Sequence, residues 1–85
     1  MHCVYILRSI KDKTLYIGYT ENIHQRLKEH NEGRATSTKR KRPVEIIYSE
    51  IYKNRKDATQ REKYLKTGWG RNYVKRALHN TLAEI

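Results

Sequence analysis

Two short segments near the start of the chain are rich in β-branched and aromatic residues, which favour β-strands. They span residues 3–9 and 14–20 and flank the polar stretch Lys11-Asp12-Lys13. Strand-like segments separated by a few polar residues are typical of a β-hairpin. The sequence therefore predicts an antiparallel hairpin as its first structural unit.

The register of this hairpin decides which side chains share a face. A turn that pairs Ser9 with Thr14 places Tyr5 opposite Gly18. In that register Tyr5 and Tyr16 point to the same side of the hairpin, because side chains alternate along a strand. A glycine opposite Tyr5 leaves space for a ligand or for another backbone. The other side of the hairpin carries the apolar residues Val4, Ile6, Leu15 and Ile17.

A helix with recognisable end signals is predicted after the hairpin. Asn22 can accept a hydrogen bond from the amide of Gln25, and Gln25 can reach back, as in a capping box. Gly33 is a suitable stop signal. Arg26 and His30 are four residues apart, so they share one side of this helix.

The segment at 34–43 is predicted to be a mobile basic loop. It has no apolar periodicity and ends in four consecutive cations before a proline. We expect these cations to bind the phosphate backbone of a nucleic acid and to take no part in catalysis. They are Lys39, Arg40, Lys41 and Arg42.

The second half of the chain predicts one strand and two helices. Residues 44–52 partly alternate and suit a strand, whereas residues 54–67 favour a helix. Gly68 and Gly70 are expected to break that helix before a last one near residues 71–83. The predicted order is β-β-α-β-α-α. It indicates an α/β (α+β) fold with a small three-stranded antiparallel sheet flanked by helices.

Size and charge limit the classes of function. The 85 residues predict a single domain, residues 1–85. The chain has 19 Lys and Arg against 9 Asp and Glu, a formal charge of +10, which favours a polyanion such as DNA, with RNA also allowed. Its one cysteine, Cys3, permits neither an intramolecular disulfide nor a thiolate cluster for zinc. With no secretory signal and no membrane-spanning apolar run, we expect a cytoplasmic protein.

Several of these residues resemble the motifs of the GIY-YIG nuclease superfamily, and the resemblance covers nearly the whole chain. Cys3-Val4-Tyr5 stands in the place of the family's first triplet, Gly-Ile-Tyr, and Tyr16-Ile17-Gly18 matches its second triplet. Arg26 falls at the family's helix arginine. His30 is similar to a histidine of the homing endonucleases, and Glu62 to the single metal-binding glutamate. The small stand-alone bacterial members are the most similar.

The resemblance implies hydrolysis of phosphodiester bonds with one Mg²⁺ or Mn²⁺ ion bound at Glu62. It suggests Tyr5 as the base that activates water, with Tyr16 positioning water or phosphate. A tyrosine needs nearby cations for this role, because its pKa of about 10 lies well above neutrality. Arg26 would stabilise charge on the phosphate. The catalytic residues implied are thus Tyr5, Tyr16, Arg26, His30 and Glu62.

The resemblance also implies that two further residues bind substrate. Arg8 is similar in position to a basic residue of the repair nucleases, and Asn72 corresponds to a late family asparagine. Together with residues 39–42 they complete the predicted substrate-binding set. Trp69 is expected to be a packing anchor, although exposure would instead favour base stacking.

Ordinary structural roles remain open for the same residues. Arg26 is equally consistent with a solvated helix cation. His30 is consistent with a buried, hydrogen-bonded histidine, and Glu62 with an ion pair to Lys66 one turn later. Only their combination favours catalysis.

Three hypotheses follow. The first is a metal-dependent endonuclease acting on DNA, directed by backbone or structure, in DNA repair or processing. The second is a nucleic-acid-binding module that keeps the fold without catalysis. The third is a ribosome-associated basic protein, which charge alone suggests.

Overall fold

The computed structural model describes residues 1–84. Its strands are β1 (His2–Ser9), β2 (Leu15–Thr20) and β3 (Val44–Tyr52). Its helices are α1 (Ile23–Asn31), α2 (Arg55–Leu65), α3 (Gly68–Ala77) and α4 (His79–Ala83), with one 3₁₀ turn at Lys39–Lys41. The predicted mixed α/β architecture and element order are confirmed, with the last predicted helix divided into α3 and α4.

The sheet is fully antiparallel, with the strand order β2-β1-β3. Tyr5 pairs with Gly18, and Leu7 pairs with Tyr16, so the predicted register is correct. Ser9 donates its backbone N–H to the carbonyl of Thr14 at 2.9 Å, which closes the turn. The central strand β1 is consequently held by hydrogen bonds along both of its edges.

Helices cover both faces of β1, which is buried from Cys3 to Ser9. On one face Val4 and Ile6 pack against side chains of α2 and α3, including Leu65 and Val74. We call the other the tyrosine face. It carries Cys3, Tyr5, Leu7 and Val44 and is covered by Ile23 and Leu27 of α1. Burial on both faces explains why β1 is a continuous apolar run interrupted only near its end.

The segment predicted as a mobile loop, 34–43, packs against the hairpin. The side chain of Thr38 is buried within it. Ser9 Oγ donates to the carbonyl of Lys41 at 2.7 Å, and Lys41 Nζ forms an ion pair with Asp12 at 2.8 Å. The segment is thus a loop with one 3₁₀ turn, as predicted apart from that turn, and it is anchored by contacts with residues about thirty positions away that local periodicity does not reveal.

The two glycines expected to separate helices instead form the first turn of α3. Thr67 caps this helix by accepting from the amide of Gly70 at 3.1 Å. A side chain at Gly70 would collide with the carbonyl oxygen of Tyr64. The glycine therefore permits close approach of α3 to the end of α2.

Trp69 does not anchor the core. It lies in the first turn of α3 and its side chain is 80% exposed, so the packing role predicted for it was wrong. The buried positions of this helix are instead Gly70 and Val74.

No helix formed by residues 1–84 is both long and apolar enough to cross a membrane.

Candidate active site

The centre of the tyrosine face is a chain of hydrogen-bonded side chains. The hydroxyl of Tyr5 lies 2.9 Å from Nε2 of His30, and Nδ1 of His30 lies 2.6 Å from Oγ1 of Thr38. Tyr5, on β1, is 1% exposed, and His30, near the end of α1, is fully buried. Three different segments of the chain thus contribute to one continuous path from the phenol to the threonine hydroxyl.

Tyr16 completes an aromatic group with these two residues. Its ring centroid lies 6.3 Å from that of Tyr5 and 5.1 Å from that of His30. Unlike Tyr5 it is partly exposed. A side chain at Gly18 would collide with the Tyr5 hydroxyl and come within 2.9 Å of Cε1 of Tyr16. The space expected for a ligand above Gly18 is therefore filled by the Tyr5 phenol itself.

Arg26 brings positive charge to this group. Its guanidinium donates from NH1 to the carboxylate of Glu29 at 3.0 Å, and the side chain is 34% exposed. It also lies close enough to the Tyr5 hydroxyl to favour the phenolate form of Tyr5. The pKa of Arg26 is raised, first by the hydrogen bond to Glu29 and then by Tyr5. Arg26 is thus held by a carboxylate one turn away and remains accessible.

Glu62 lies on α2, the helix that packs against the face of the sheet opposite the tyrosine face. Its carboxylate lies close enough to Tyr5 to oppose ionisation of the phenol. It forms an ion pair with Lys66 Nζ at 3.0 Å, which is one of the structural roles predicted for Glu62. The Glu62 side chain is 22% exposed. Within residues 1–84 no three metal-ligating side chains converge. A single carboxylate nevertheless fits Mg²⁺, which retains several waters and often takes only one or two protein carboxylates.

Burial dominates the acid–base properties of the Tyr5–His30 pair. It raises the pKa of Tyr5 to about 12, although Arg26 acts in the opposite direction. Burial, followed by the charge of Arg26, lowers the pKa of His30. At neutral pH the pair therefore consists of a neutral phenol and a neutral imidazole, the reverse of the ionised tyrosine that a base acting alone would need.

The sequence matches a known protein family. A family model described as the GIY-YIG catalytic domain matches residues 1–74. The chain belongs to the GIY-YIG family. The predicted family membership is thereby confirmed, and with it a relationship to nucleases. Membership implies that the substrate is a nucleic acid.

Three curated bacterial proteins illustrate its relatives. A UPF0213 protein of Clostridium perfringens is 43% identical over 67 residues, which cover 78% of this chain and 71% of that protein. The UPF0213 protein YazA of Bacillus subtilis is 42% identical over 66 residues, which cover 76% of this chain and 66% of that protein. A UPF0213 protein of Staphylococcus haemolyticus is 43% identical over 67 residues, which cover 78% of this chain and 80% of that protein. These names state no activity, and no solved structure gives a significant match.

Arg8 lies outside the cluster that contains both GIY-YIG tyrosines. It belongs to the opposite face of β1, where its guanidinium donates to Glu45 at 2.9 Å and to the carbonyl of Thr81 at 3.0 Å. Only 8% of the residue is exposed. These contacts connect β1 to β3 and α4, so the structure gives Arg8 a tertiary contact and does not bring it to the GIY-YIG tyrosines.

The other predicted substrate-binding residues lie on the surface. Lys39, Arg40 and Arg42 border a shallow basic depression of about 690 Å³ together with Lys11. Asn72 is exposed on α3 and forms no side-chain hydrogen bond within the described part of the chain. The basic depression is joined to the GIY-YIG tyrosines through the same loop that supplies Thr38.

Sequence reasoning gave no role in the site to three residues that contact the candidate site residues. Glu29 orients Arg26, and its position three residues later was a usable signal. Lys66 was named only as an alternative partner of Glu62. Thr38 had no signal, because its contact with His30 depends on how the loop at 34–43 folds back.

Proposed function

We propose that this chain is a metal-dependent endonuclease that hydrolyses phosphodiester bonds in DNA, directed by backbone or structure. The observation that supports it is the group formed by two tyrosines, an arginine and a histidine on the tyrosine face, with a glutamate, Glu62, close enough to Tyr5 to oppose ionisation of its phenol. They come from β1, β2, α1 and α2. Such a group has no evident role in packing alone, since two of its members are charged and partly exposed.

The phosphate is bound at the accessible edge of this group. Arg26 offers a planar donor suited to a nonbridging phosphate oxygen, and it stabilises negative charge that develops there during attack. Tyr16, which is partly exposed, orients the phosphate or the attacking water through its hydroxyl. Because Tyr5 is 1% exposed, phosphate binding beside Arg26 and Tyr16 must open a path to the Tyr5 hydroxyl.

The proton from the attacking water passes to the oxygen of Tyr5, while the phenolic proton moves to Nε2 of His30. This transfer avoids a free phenolate, which a pKa of about 12 disfavours. His30 then becomes an imidazolium that donates from Nδ1 to Thr38. The Arg26 charge opposes that step in the free protein, but a phosphate bound to Arg26 offsets its field.

Glu62 is the residue that would hold the metal ion. Its one ion-pair partner among residues 1–84 is Lys66, a flexible side chain that is 52% exposed and can move aside. A divalent cation there would supply positive charge to the phosphate and its leaving oxygen. The carboxylate fits this role because it is partly exposed and lies close enough to Tyr5 to affect its ionisation.

Recognition depends on the DNA backbone. The basic depression bordered by Lys39, Arg40 and Arg42 offers cations for phosphates, and phosphate contacts carry no sequence information of their own. This surface supports a role in DNA repair or processing, where structure rather than a long sequence marks the site. Because RNA has the same phosphodiester backbone, RNA cleavage should be compared with DNA cleavage.

A non-catalytic binding module is the second candidate. It is favoured by the burial of Tyr5, which keeps the hydroxyl from water, and by the ion pair between Glu62 and Lys66, which occupies the proposed metal ligand.

Cleavage assays with matched variants separate the two candidates. Wild-type protein is incubated with nicked, branched, flapped and single-stranded DNA, and with RNA, in Mg²⁺, Mn²⁺ or EDTA. We expect metal-dependent cleavage of DNA that Glu62→Gln abolishes while Glu21→Gln, an exposed control, retains it. Binding without cleavage of any substrate would favour the module, and full activity in folded Glu62→Gln protein would refute the assigned site.

A further inference from the structure

A groove between β2 and α3 adjoins the candidate active site and has no role in the chemistry above. Its volume is about 530 Å³, within the range of small-ligand sites. Leu15 and Ile17 of β2 and Val74 of α3 form its apolar lining, and Tyr16 borders it as well. Since Leu15 and Ile17 point to the opposite side of β2 from Tyr16, the groove passes over the free edge of this strand.

Three cations surround the apolar lining. Arg71 and Lys75, one turn apart on α3, are exposed and form no ion pair within residues 1–84. Lys66 is the third, and it pairs with Glu62. Lys66 therefore borders the groove and contacts the candidate site residue Glu62 at the same time. This side chain and Tyr16 connect the groove to the site where the scissile phosphate is proposed to bind.

An apolar floor surrounded by cations matches the chemistry of an unpaired nucleotide. Its base and sugar offer flat, weakly polar surface, and its phosphates offer negative charge at both ends. A base within a duplex is stacked and covered by its partner, so only the phosphates of a duplex could use this surface. The exposed Leu15, 40% accessible on an edge strand, would gain little from a duplex backbone.

We infer that the β2–α3 groove binds an unpaired nucleotide adjacent to the scissile phosphate, which directs the enzyme to DNA with a single-stranded or frayed segment. This inference rests on the proposed nuclease function and specifies its substrate class. Arg71 and Lys75 bind the flanking phosphates, and Leu15 and Ile17 contact the base and sugar.

Binding measured in EDTA tests the groove independently of cleavage. The probe is a fluorescently labelled DNA duplex with or without a single-stranded tail, and the readout is anisotropy over a range of salt concentrations. We expect the wild-type protein to prefer the tailed duplex. In Arg71→Gln/Lys75→Gln we expect that preference to be lost and the salt slope for tailed DNA to fall by roughly 1.4, about 0.7 for each contact to a single strand.

A matched pair of variants controls for net charge. Lys63→Gln/Arg76→Gln removes the same charge from exposed positions of α2 and α3 that do not border the groove, and we expect it to keep the preference for a tail. Equal loss of affinity in both pairs, or equal effects on tailed and blunt DNA in the groove pair, would overturn the inference. So would a wild-type protein that does not distinguish the two probes.

The apolar contact has its own control. Leu15→Thr and Ile51→Thr each replace an exposed apolar residue on an edge strand with a shorter residue that favours strands. Only Leu15→Thr should weaken tail binding, without changing the salt slope, and equal effects would argue against a base in the groove. A preference for tailed DNA without cleavage would refute only the proposed nuclease activity. Cleavage without a preference for tailed DNA would refute only the proposed nucleotide binding in the groove.

Discussion

The hydroxyl of Tyr5 lies 2.9 Å from Nε2 of His30, although 25 residues separate them in the chain. Both groups are buried and both are neutral at physiological pH, because burial raises the pKa of the phenol and lowers that of the imidazole. A buried neutral pair can exchange a proton without first creating an isolated charge. In the proposed mechanism this relationship, more than either residue alone, gives a tyrosine with a high pKa a way to accept a proton from water.

The proton transfer predicts a characteristic pattern of variants. Tyr5→Phe keeps the ring and should lower kcat by about 10²–10⁴, with the circular dichroism spectrum unchanged. His30→Gln can still hydrogen-bond Tyr5 but cannot take its proton, so kcat should fall while KM changes little. Tyr64→Phe alters an exposed tyrosine and should be neutral. Wild-type kcat in His30→Gln would contradict the transfer.

Gly18 should not tolerate a methyl group. In Gly18→Ala the new Cβ would collide with the Tyr5 hydroxyl, and overpacking of this kind costs about 1–3 kcal/mol. We expect a lower Tm together with loss of cleavage. Gly68→Ala is the matched control, since an added Cβ meets nothing within 4 Å, and thermal unfolding of the two variants compares them directly. Equal Tm values would contradict the packing described.

The buried imidazole predicts how stability depends on pH. The pKa of His30 is lowered in the folded protein, so below its unfolded value, about 6.5, the unfolded chain binds a proton that the folded chain does not. Stability should therefore fall as pH decreases from about 7 toward 5, above the range in which carboxylates titrate. Urea unfolding across this range should show a shallower dependence in His30→Gln, and an unchanged slope would contradict the assignment.

Arg8 should contribute to stability and not to DNA binding. Arg8→Gln removes donors to Glu45 and to the carbonyl of Thr81, and loss of partly buried hydrogen bonds costs about 1–3 kcal/mol. Hydrogen exchange should show increased opening of α4, while anisotropy with DNA should show an affinity within error of the wild type. A selective loss of DNA affinity with normal stability would instead support the role that the family resemblance implies for Arg8.

Local signals were sufficient for much of the fold. Alternation in residues 3–9 and 14–20 predicted the pairing of Tyr5 with Gly18, because a short turn allows few registers. The cap at Asn22 was also correct, since its side chain accepts from the Gln25 amide at 3.1 Å. The return half of the capping box was wrong, because the Gln25 side chain donates to Glu29 and the Asn22 amide donates to Thr20. Capping and alternation depend on residues within a few positions of each other, so the sequence states them directly.

Signals at Gly68 and Trp69 were misread for a related reason. Glycine there was interpreted as a helix break, but Thr67 caps the next helix and Gly70 lets it approach α2. Whether a glycine ends a helix or permits close packing depends on what lies across from it. The same is true of an aromatic side chain, which is an anchor only if another element covers it.

Side-chain alternation and hydrogen bonds between near neighbours were enough to predict the strands, the cap at Asn22 and the face of the hairpin that both tyrosines share. Contacts between distant segments were needed to place His30 of α1 against Tyr5, to fold residues 34–43 back so that Thr38 reaches His30, and to direct Arg8 toward Glu45. The tertiary structure also decided the direction of the pKa shift at Tyr5. Desolvation depends on everything that surrounds a group, and most of what surrounds Tyr5 is distant in the chain.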